Sequence, residues 1–158
     1  MNEKEISCAF TGHRIIPYDK RQTVWTKLKY AILESYHAGY RIFYCGMARG
    51  FDLMAAEALL RIRETYPEIQ LIAAVPYRSQ PSRFNEYDRK RYSAILAKAD
   101  RVEMLSEEYY DGCLLRRNDY MLAHSKALIA YYDGMPSGGT CYTVNRARRT
   151  NLLITNIY

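Results

Sequence analysis

The sequence predicts an α/β protein: a doubly wound, mainly parallel Rossmann-like sheet with helices on both faces. Short apolar runs of strand length alternate along the chain with longer segments in which apolar residues recur every three or four positions. Several of the apolar runs end at glycine or proline, as strands followed by turns do. Such alternation favours right-handed crossovers between parallel strands, which place helices on both sides of a sheet.

Six apolar runs are predicted to be strands. The first ends before Gly12, the second before Gly46, the third before Pro76 and the fifth before Asp133-Gly134. In chain order the predicted strands are Ile6–Thr11, Arg41–Cys45, Ile69–Val75, Arg101–Leu105, Lys126–Tyr132 and Leu152–Ile157.

Helical spacing marks the segments between the strands, each with one apolar stripe. The first three stripes are Val24, Leu28, Ala31 and Ile32; Leu53, Ala56 and Leu60; and Tyr92, Ile95, Leu96 and Ala99. A fourth helix is predicted after Asp111-Gly112, and a fifth begins at Gly138-Gly139-Thr140. Because no Pro/Gly/Ser-rich linker and no internal repeat interrupts this order, we expect residues 1–158 to form a single domain.

Composition narrows the class of protein. Hydrophobic residues make up 49% and charged residues 25%, which is typical of a globular domain. The apolar runs are too short to cross a membrane and the N-terminus lacks the pattern of a signal peptide, so we expect a cytoplasmic protein that does not associate with membranes. The four cysteines form no C-x-x-C pair and the three histidines are far apart, which predicts reduced thiols and no metal site.

Three loops after predicted strands form the candidate site, because ligands of such sheets bind beyond the carboxyl ends of the strands. They are Thr11-Gly12-His13-Arg14, Gly46-Met47-Ala48-Arg49-Gly50-Phe51-Asp52 and Asp133-Gly134-Met135-Pro136-Ser137-Gly138-Gly139-Thr140. Glycine lets backbone amides approach an anion, and a helix that begins at such a loop adds unpaired N–H groups. With a net charge of +6, the chain is therefore predicted to bind a phosphate-bearing small molecule, while nucleic acid stays open as a partner.

The expected ligand-binding residues combine backbone amides, hydrogen-bonding side chains and cationic clamps. They are Gly12, His13, Arg14, Gly46, Arg49, Gly50, Asp52, Arg117, Asp133, Gly138, Gly139 and Thr140. For each loop the alternative is a plain turn whose arginine points to water. Neither G-x-G-x-x-G nor G-x-x-x-x-G-K-[ST] occurs, which argues against a dehydrogenase, a kinase or an ATPase. Some of the sixteen tyrosines, Tyr77 and Tyr109 among them, lie near these loops and could stack on a base.

Together and in this order, the three loops resemble the SLOG superfamily of Rossmann-like proteins, and most closely its YpsA-like branch. The resemblance covers nearly the whole chain. The superfamily also contains the LOG-type phosphoribohydrolases and the DNA-processing protein DprA, which implies recognition of nucleotides or nucleic acids. For the YpsA-like branch it implies a ligand sensor that binds a nucleotide derivative such as ADP-ribose or NAD.

One departure bears on catalysis. The last loop of LOG-type enzymes reads P-G-G-x-G-T-x-x-E, whereas here the residue three after Thr140 is Thr143, which cannot replace a catalytic carboxylate. The main expectation is therefore a nucleotide-binding sensor without an assured reaction and without a required cofactor; the catalytic residues are unknown. The alternatives are an N-glycosidic hydrolase of nucleoside monophosphates, with a carboxylate from Asp52, Asp119 or Asp133, and a DprA-like binder of single-stranded nucleic acid. A homo-oligomer or a protein partner stays open.

Overall fold

The computed structural model describes residues 2–158, and one six-stranded sheet organises them. The strands are β1 (Ser7–Gly12), β2 (Ile42–Cys45), β3 (Gln70–Val75), β4 (Arg101–Met104), β5 (Ala127–Tyr131) and β6 (Leu153–Asn156). Their order across the sheet is β4-β3-β2-β1-β5-β6, and every neighbouring pair is parallel. Each strand matches its predicted range to within one residue at each end.

Five helices cover the two faces of the sheet. They are α1 (Arg21–His37), α2 (Phe51–Arg63), α3 (Glu86–Lys98), α4 (Cys113–Ala123) and α5 (Gly139–Arg149), with short 3-10 helices at Glu3–Ile6, Tyr18–Lys20 and Gln80–Arg83. The first three helices share one hydrophobic core with the sheet, and α4 and α5 share a second core on the opposite face. The predicted fold class, a parallel Rossmann-like sheet with helices on both faces, is confirmed.

Alternation along the central strands supplies both cores. On β1, Cys8 and Phe10 pack toward α1 and α2, while Ala9 between them packs toward α4 and α5. Because successive side chains of a strand point to opposite faces, a strand covered on both sides must be apolar throughout. This explains why the sequence shows continuous apolar runs and not a polar–apolar alternation.

The strand order places a topological switch point between β1 and β5. From β1 the chain builds outward through β2 and β3 to β4, and then crosses back on the other face to β5 beside β1. The connections after β1 and β5 therefore leave on opposite faces, which opens a crevice at the carboxyl edge where such folds bind ligands.

Two further findings bear on the sequence expectations. All four cysteines are buried and unbonded, as expected of reduced thiols that pack as small hydrophobes. Within residues 2–158, no helix combines the length and the apolar character needed to cross a bilayer.

Candidate ligand-binding site

A cavity of about 610 Å³ lies at the switch point, beyond the carboxyl ends of β1 and β5. Its volume is in the range of small-molecule binding sites. We call it the main cavity. Its walls come from the loop after β1, the start of α2, the start of α4 and the loop before α5: Phe10, Thr11, Gly12, His13, Arg14, Ile15, Ala48, Asp52, Tyr109, Gly112, Leu114, Leu115, Arg117, Asn118, Ser137, Gly138, Gly139 and Thr140.

The N-termini of α4 and α5 meet at the main cavity. Gly112, with φ 89°, precedes α4, and Gly138, with φ 98°, precedes α5, so each helix begins after a residue whose backbone favours glycine. The first turn of a helix has N–H groups without intrahelical partners and carries the positive end of the helix dipole. The beginnings of α4 and α5 thus give this cavity the backbone donors that an anion requires.

Arg117 adds a buried positive charge. Its side chain is only 4% exposed, its Nη1 donates to the Gly46 carbonyl, and its Nε donates to Asn118 Oδ1 at 2.7 Å. Burial lowers the pKa of the guanidinium, and the nearby Asp52 carboxylate partly offsets that effect. Among residues 2–158 its Nη2 has no hydrogen-bond acceptor, which leaves one donor edge available to a ligand in the cavity that Arg117 lines.

Gly46, a predicted ligand-binding residue, lies beneath this arginine and does not line the main cavity. A Cβ atom on Gly46 would stand 2.8 Å from the guanidinium, so the close approach of Arg117 requires glycine there. The structure thus gives Gly46 a supporting position: its carbonyl holds the guanidinium.

Asp52 is the one acidic residue that lines the main cavity. It is 6% exposed, and its Oδ2 accepts a hydrogen bond from the Ala48 amide at 3.2 Å. Burial raises the pKa of this carboxyl to about 6, although Arg117, the Ala48 amide and Arg14 act in the opposite direction. Near neutral pH the group therefore changes between a neutral form, which can donate to a ligand, and an ionised form, which accepts.

Backbone packing joins the first two loops. Gly50 has φ 82°, and a Cβ atom there would collide with the backbone carbonyl of Arg14. A Cβ on Gly12 would overlap the Phe51 ring, and the Phe51 amide donates to the His13 carbonyl at 3.0 Å. Gly12 and Gly50 are thus required by close approach, and they fix the position from which Arg14 projects.

His13 is tied to the third loop through Asp133. The Asp133 amide lies 2.9 Å from His13 Nε2, and the Asp133 Oδ1 atom lies 3.1 Å from the same nitrogen. The first contact needs an unprotonated Nε2 and the second a protonated one. The Asp133 Oδ1 atom also accepts from the Met135 amide at 3.0 Å. Asp133 therefore orients His13 and lies outside the wall of the main cavity.

Arg49 and Gly50 face neighbouring spaces and not the main cavity. A cavity of about 320 Å³, which we call the side cavity, is lined by Arg14, Ala48, Arg49, Tyr77, Gln80, Arg83, Phe84, Tyr109 and Leu114. A smaller cleft of about 260 Å³ includes Arg14, Arg49 and Gly50. Of the predicted ligand-binding residues, the main cavity brings together Gly12, His13, Arg14, Asp52, Arg117, Gly138, Gly139 and Thr140.

Thr143, at the position of the LOG-type glutamate, has a supporting role. It is fully buried; its hydroxyl accepts from Asn118 Nδ2 and donates to the Gly139 carbonyl, both at 2.9 Å. The two bonds tie α4 to the first turn of α5. Asp119, an alternative carboxylate, is engaged elsewhere, since it lies 3.2 Å from Arg146 Nε and accepts from the Tyr142 hydroxyl.

Sequence reasoning anticipated Tyr109 near the site but missed the aliphatic part of the main cavity. Ile15 is 78% exposed, Tyr109 is 54% exposed, and both lie in the wall with Leu114 and Leu115. The available signal was the position of Ile15, an apolar residue directly after Arg14 in a loop. By contrast, Tyr131 stacks on Phe51 with ring centroids 5.8 Å apart and acts as a core residue.

Comparisons with known proteins agree with this geometry. Residues 10–154 match the YpsA family model, described as the YspA SLOG family. A UPF0398 protein of Halalkalibacterium halodurans is 31% identical over 140 residues, which cover 87% of this chain and 71% of that protein. A UPF0398 protein of Bacillus velezensis is 31% identical over 102 residues, covering 63% of this chain and 56% of its own length.

Among solved structures, DNA processing protein A from Helicobacter pylori, described with a single-stranded DNA binding mode, superimposes with a TM-score of 0.61. The match covers 94% of this chain and 63% of that one, at 20% sequence identity, and therefore shows a shared fold. The chain thus spans less than two thirds of this neighbour and little more than half of the Bacillus velezensis relative.

Proposed function

Because the chain belongs to the YspA SLOG family, as the three loops predicted, we propose that its main cavity binds a nucleotide or a nucleotide derivative such as ADP-ribose or an NAD-like molecule. One observation carries this proposal: the buried guanidinium of Arg117 faces a cavity at which two helices begin, and one of its donor edges is unused. A buried charge is costly unless a partner is present, and a phosphate is such a partner.

The phosphate would lie between Arg117 and the first turn of α5. There the amides of Gly139 and Thr140 provide backbone donors, and the Thr140 hydroxyl provides a further one. Arg14, which is exposed and makes no ion pair among the described residues, would contact the same group from the loop after β1. An arginine can donate to two phosphate oxygens at once, and two arginines suit a group that carries more than one negative charge.

The remaining wall suits a nucleoside. In its ionised form Asp52 can accept hydrogen bonds from ribose hydroxyls, as acidic residues of related folds do. Ile15, Leu115 and Tyr109 give an apolar and aromatic surface for a base, since the face of any base can stack on such side chains. Phosphate donors, a hydroxyl acceptor and an apolar wall together are the features of a nucleotide site.

The proposed role is that of a sensor that binds its ligand, and no reaction is assigned to it. Thr143 is buried and used in hydrogen bonds, and Asp119 is engaged with Arg146, so only Asp52 could supply a carboxylate from the wall. An N-glycosidic hydrolase is expected to place a catalytic acid or nucleophile against the scissile bond. Release of free adenine from AMP by the purified protein would favour this hydrolase over the sensor.

The binding test is calorimetric titration of AMP, ADP, ADP-ribose and NAD, with thermal unfolding as a second readout. A ligand at about 100 times its dissociation constant adds roughly 2.7 kcal/mol to the stability of the folded state. Thr140→Val removes one hydroxyl from the site with little change in shape, and we expect it to weaken binding. Thr23→Val, on the exposed face of α1, is the matched control and should bind as the wild type does. The proposal fails if none of the four compounds binds.

Single-stranded nucleic acid is a second candidate ligand, and one observation favours it. Arg14, Arg49 and Arg83 have no ion-pair partner among residues 2–158 and lie around the same edge as the exposed Tyr109, an arrangement that suits a phosphate backbone with a stacked base. The fold it shares with a single-stranded DNA-binding protein is consistent with this candidate. Affinity for an oligonucleotide that falls steeply with salt would support it, and salt-independent affinity would contradict it.

A further inference from the structure

The side cavity, beside the proposed nucleotide site, has the features of a binding site in its own right. We propose that it is a second anion-binding subsite, which takes the second phosphate-bearing unit of a ligand whose first unit lies in the main cavity; this rests on the proposed function of the main cavity. The ligand class is therefore two nucleoside units joined through phosphate.

Three arginines line the side cavity without acidic partners. Within the described part of the chain, Arg14, Arg49 and Arg83 form no ion pair and donate no side-chain hydrogen bond, although all three are exposed. Arg78, only five residues before Arg83, behaves differently, since it contacts Glu107 through two bonds of 2.6 and 2.9 Å. Three like charges around one cavity repel one another, and an anion placed among them removes that repulsion.

Gln80 supplies an unsatisfied polar group in the wall of the same cavity. It is 5% exposed, and its Nε2 donates to the Gly46 carbonyl at 3.2 Å. This bond fixes the orientation of the amide, because the nitrogen must face a carbonyl acceptor. The Oε1 atom is then buried without a partner among residues 2–158. Buried acceptors are rarely left unpaired, so the wall contains a polar atom that no contact among residues 2–158 explains.

Aromatic side chains complete the wall. Tyr77 is 9% exposed, and its ring meets that of Tyr109 at an interplanar angle of 83° with centroids 5.4 Å apart. Phe84 lies in the same wall. Rigid aromatic faces beside cationic groups are the usual surroundings of a base and its phosphate.

The two cavities are neighbours that share part of their walls. Arg14, Ala48, Tyr109 and Leu114 line both, so a ligand that occupies both passes beside Arg14. The side cavity, at about 320 Å³, is at the small end of ligand sites and suits one nucleoside unit. A diphosphate-linked dinucleotide and one step of a single-stranded nucleic acid share this two-unit chemistry.

The test compares one-unit and two-unit probes by calorimetric titration. AMP is the one-unit probe; NAD and the 5′-phosphorylated dinucleotide pTpT are the two-unit probes. We expect the wild type to bind one of the two-unit probes about tenfold or more tightly than AMP, and the identity of that probe distinguishes a small molecule from nucleic acid. Arg83→Ala should remove most of this advantage and leave the affinity for AMP unchanged within about twofold. Arg149→Ala, which removes an exposed arginine with no ion-pair partner in the described part of the chain, at the far end of α5, is the matched control and should change neither affinity.

Four outcomes overturn the second subsite. Wild-type protein that binds AMP but gains nothing from a second unit removes the subsite and keeps the proposed function. If Arg83→Ala loses affinity for AMP and for the two-unit probe equally, or loses neither, the subsite is likewise overturned and the proposed function is kept. Absence of binding for all three probes overturns the proposed function together with the subsite.

Discussion

Arginines of two regions differ in their partners. Arg63 and Arg91, on the helical face of α2 and α3, lie 2.8 and 2.6 Å from carboxylate oxygens. Arg14, Arg49 and Arg83, at the carboxyl edge of the sheet, contact no carboxylate among residues 2–158. Charges neutralised by neighbours contribute little to the field around a protein, whereas uncompensated charges at one edge attract anions to it. The difference indicates that the arginines of the carboxyl edge are available to a ligand.

The paired arginines have structural partners that explain their positions. Asp100 Oδ2 accepts from Arg63 at 2.8 Å and from the Leu71 amide at the same distance, so the pair ties α2 to the start of β3 and β4. Arg91 joins α3 to α2 through Glu57. These arginines hold elements together, and no such contact accounts for Arg14.

The largest expected effect comes from Gly50→Ala, which would break the placement of Arg14. The added Cβ would need a backbone conformation that L-residues avoid and would collide with the Arg14 carbonyl, so we expect a loss of about 2–4 kcal/mol in the free energy of unfolding, measured by urea denaturation. Gly134→Ala is the control, because φ is 86° there but the surrounding space is open; it should cost only about 1–2 kcal/mol. Equal costs for the two variants would mean that the contact with Arg14 is unimportant.

Asp52 is a carboxylate at the same edge that lies near Arg117 but forms no ion pair with it among the described residues. Its pKa is raised from 3.8 to about 6, so the folded state binds a proton that the unfolded state has lost. The resulting stabilisation is fully present below pH 3.8 and is lost as pH rises through about 6. It amounts to about 3 kcal/mol at most. Asp52→Asn, whose amide oxygen can still accept from Ala48, should lack this dependence.

Urea denaturation at about pH 4 and about pH 7 measures the effect. The wild type should lose stability relative to Asp52→Asn between these values. A constant difference between the two proteins would show that the carboxyl has an ordinary pKa.

Arg14→Ala would sharpen the comparison at the level of affinity. Loss of one charge-assisted contact should weaken nucleotide binding about tenfold or more, as measured by calorimetric titration. Because Arg14 makes no contact with a described carboxylate, the free energy of unfolding should stay within about 0.5 kcal/mol of the wild type. If Arg14→Ala loses stability but keeps its affinity, Arg14 stabilises the fold and does not contact the ligand.

Arg63→Ala should have the smallest effect and the opposite pattern. Its ion pair is partly exposed, with side-chain exposures of 24% and 37%, so we expect a loss of up to about 1 kcal/mol in stability. Nucleotide affinity should not change. If the same titration shows weaker binding by Arg63→Ala, the ion-paired arginines and those of the carboxyl edge no longer differ in their effect on the ligand.

The central strands could be predicted from the sequence because both faces of the sheet are covered there. Ile42–Cys45 is apolar throughout and ends at Gly46, so its limits are sharp. The YpsA-like resemblance and the positions of Arg14 and Asp52 at the edge also followed from the loops. For the strand limits and for both loop residues, the end of a strand determined the position, so no contact between distant parts of the chain was needed to predict it.

The rest depends on distant contacts. Gly46 reads as a ligand-binding glycine, yet its carbonyl serves Arg117, which lies 71 residues further along the chain. Gln80 and Arg83, which line the side cavity, were not among the predicted residues because the loop after β3 contains no glycine, although it follows a strand end like the others. The local sequence pattern identifies the carboxyl edge of the sheet as the site. The side chains that meet there depend on how the chain crosses back over the sheet through α4.

The hydrogen-bonded series Asn118, Thr143 and Gly139 has a consequence for ligand discrimination. It sets the gap between the N-termini of α4 and α5 in the folded chain itself. For the proposed nucleotide ligand, binding would then need little ordering of the protein, so a ligand that fits would keep more of its interaction energy as affinity. A ligand too wide for this gap would have to break the Asn118–Thr143 or Thr143–Gly139 hydrogen bond, so the spacing of the two helices would select the proposed ligand by size.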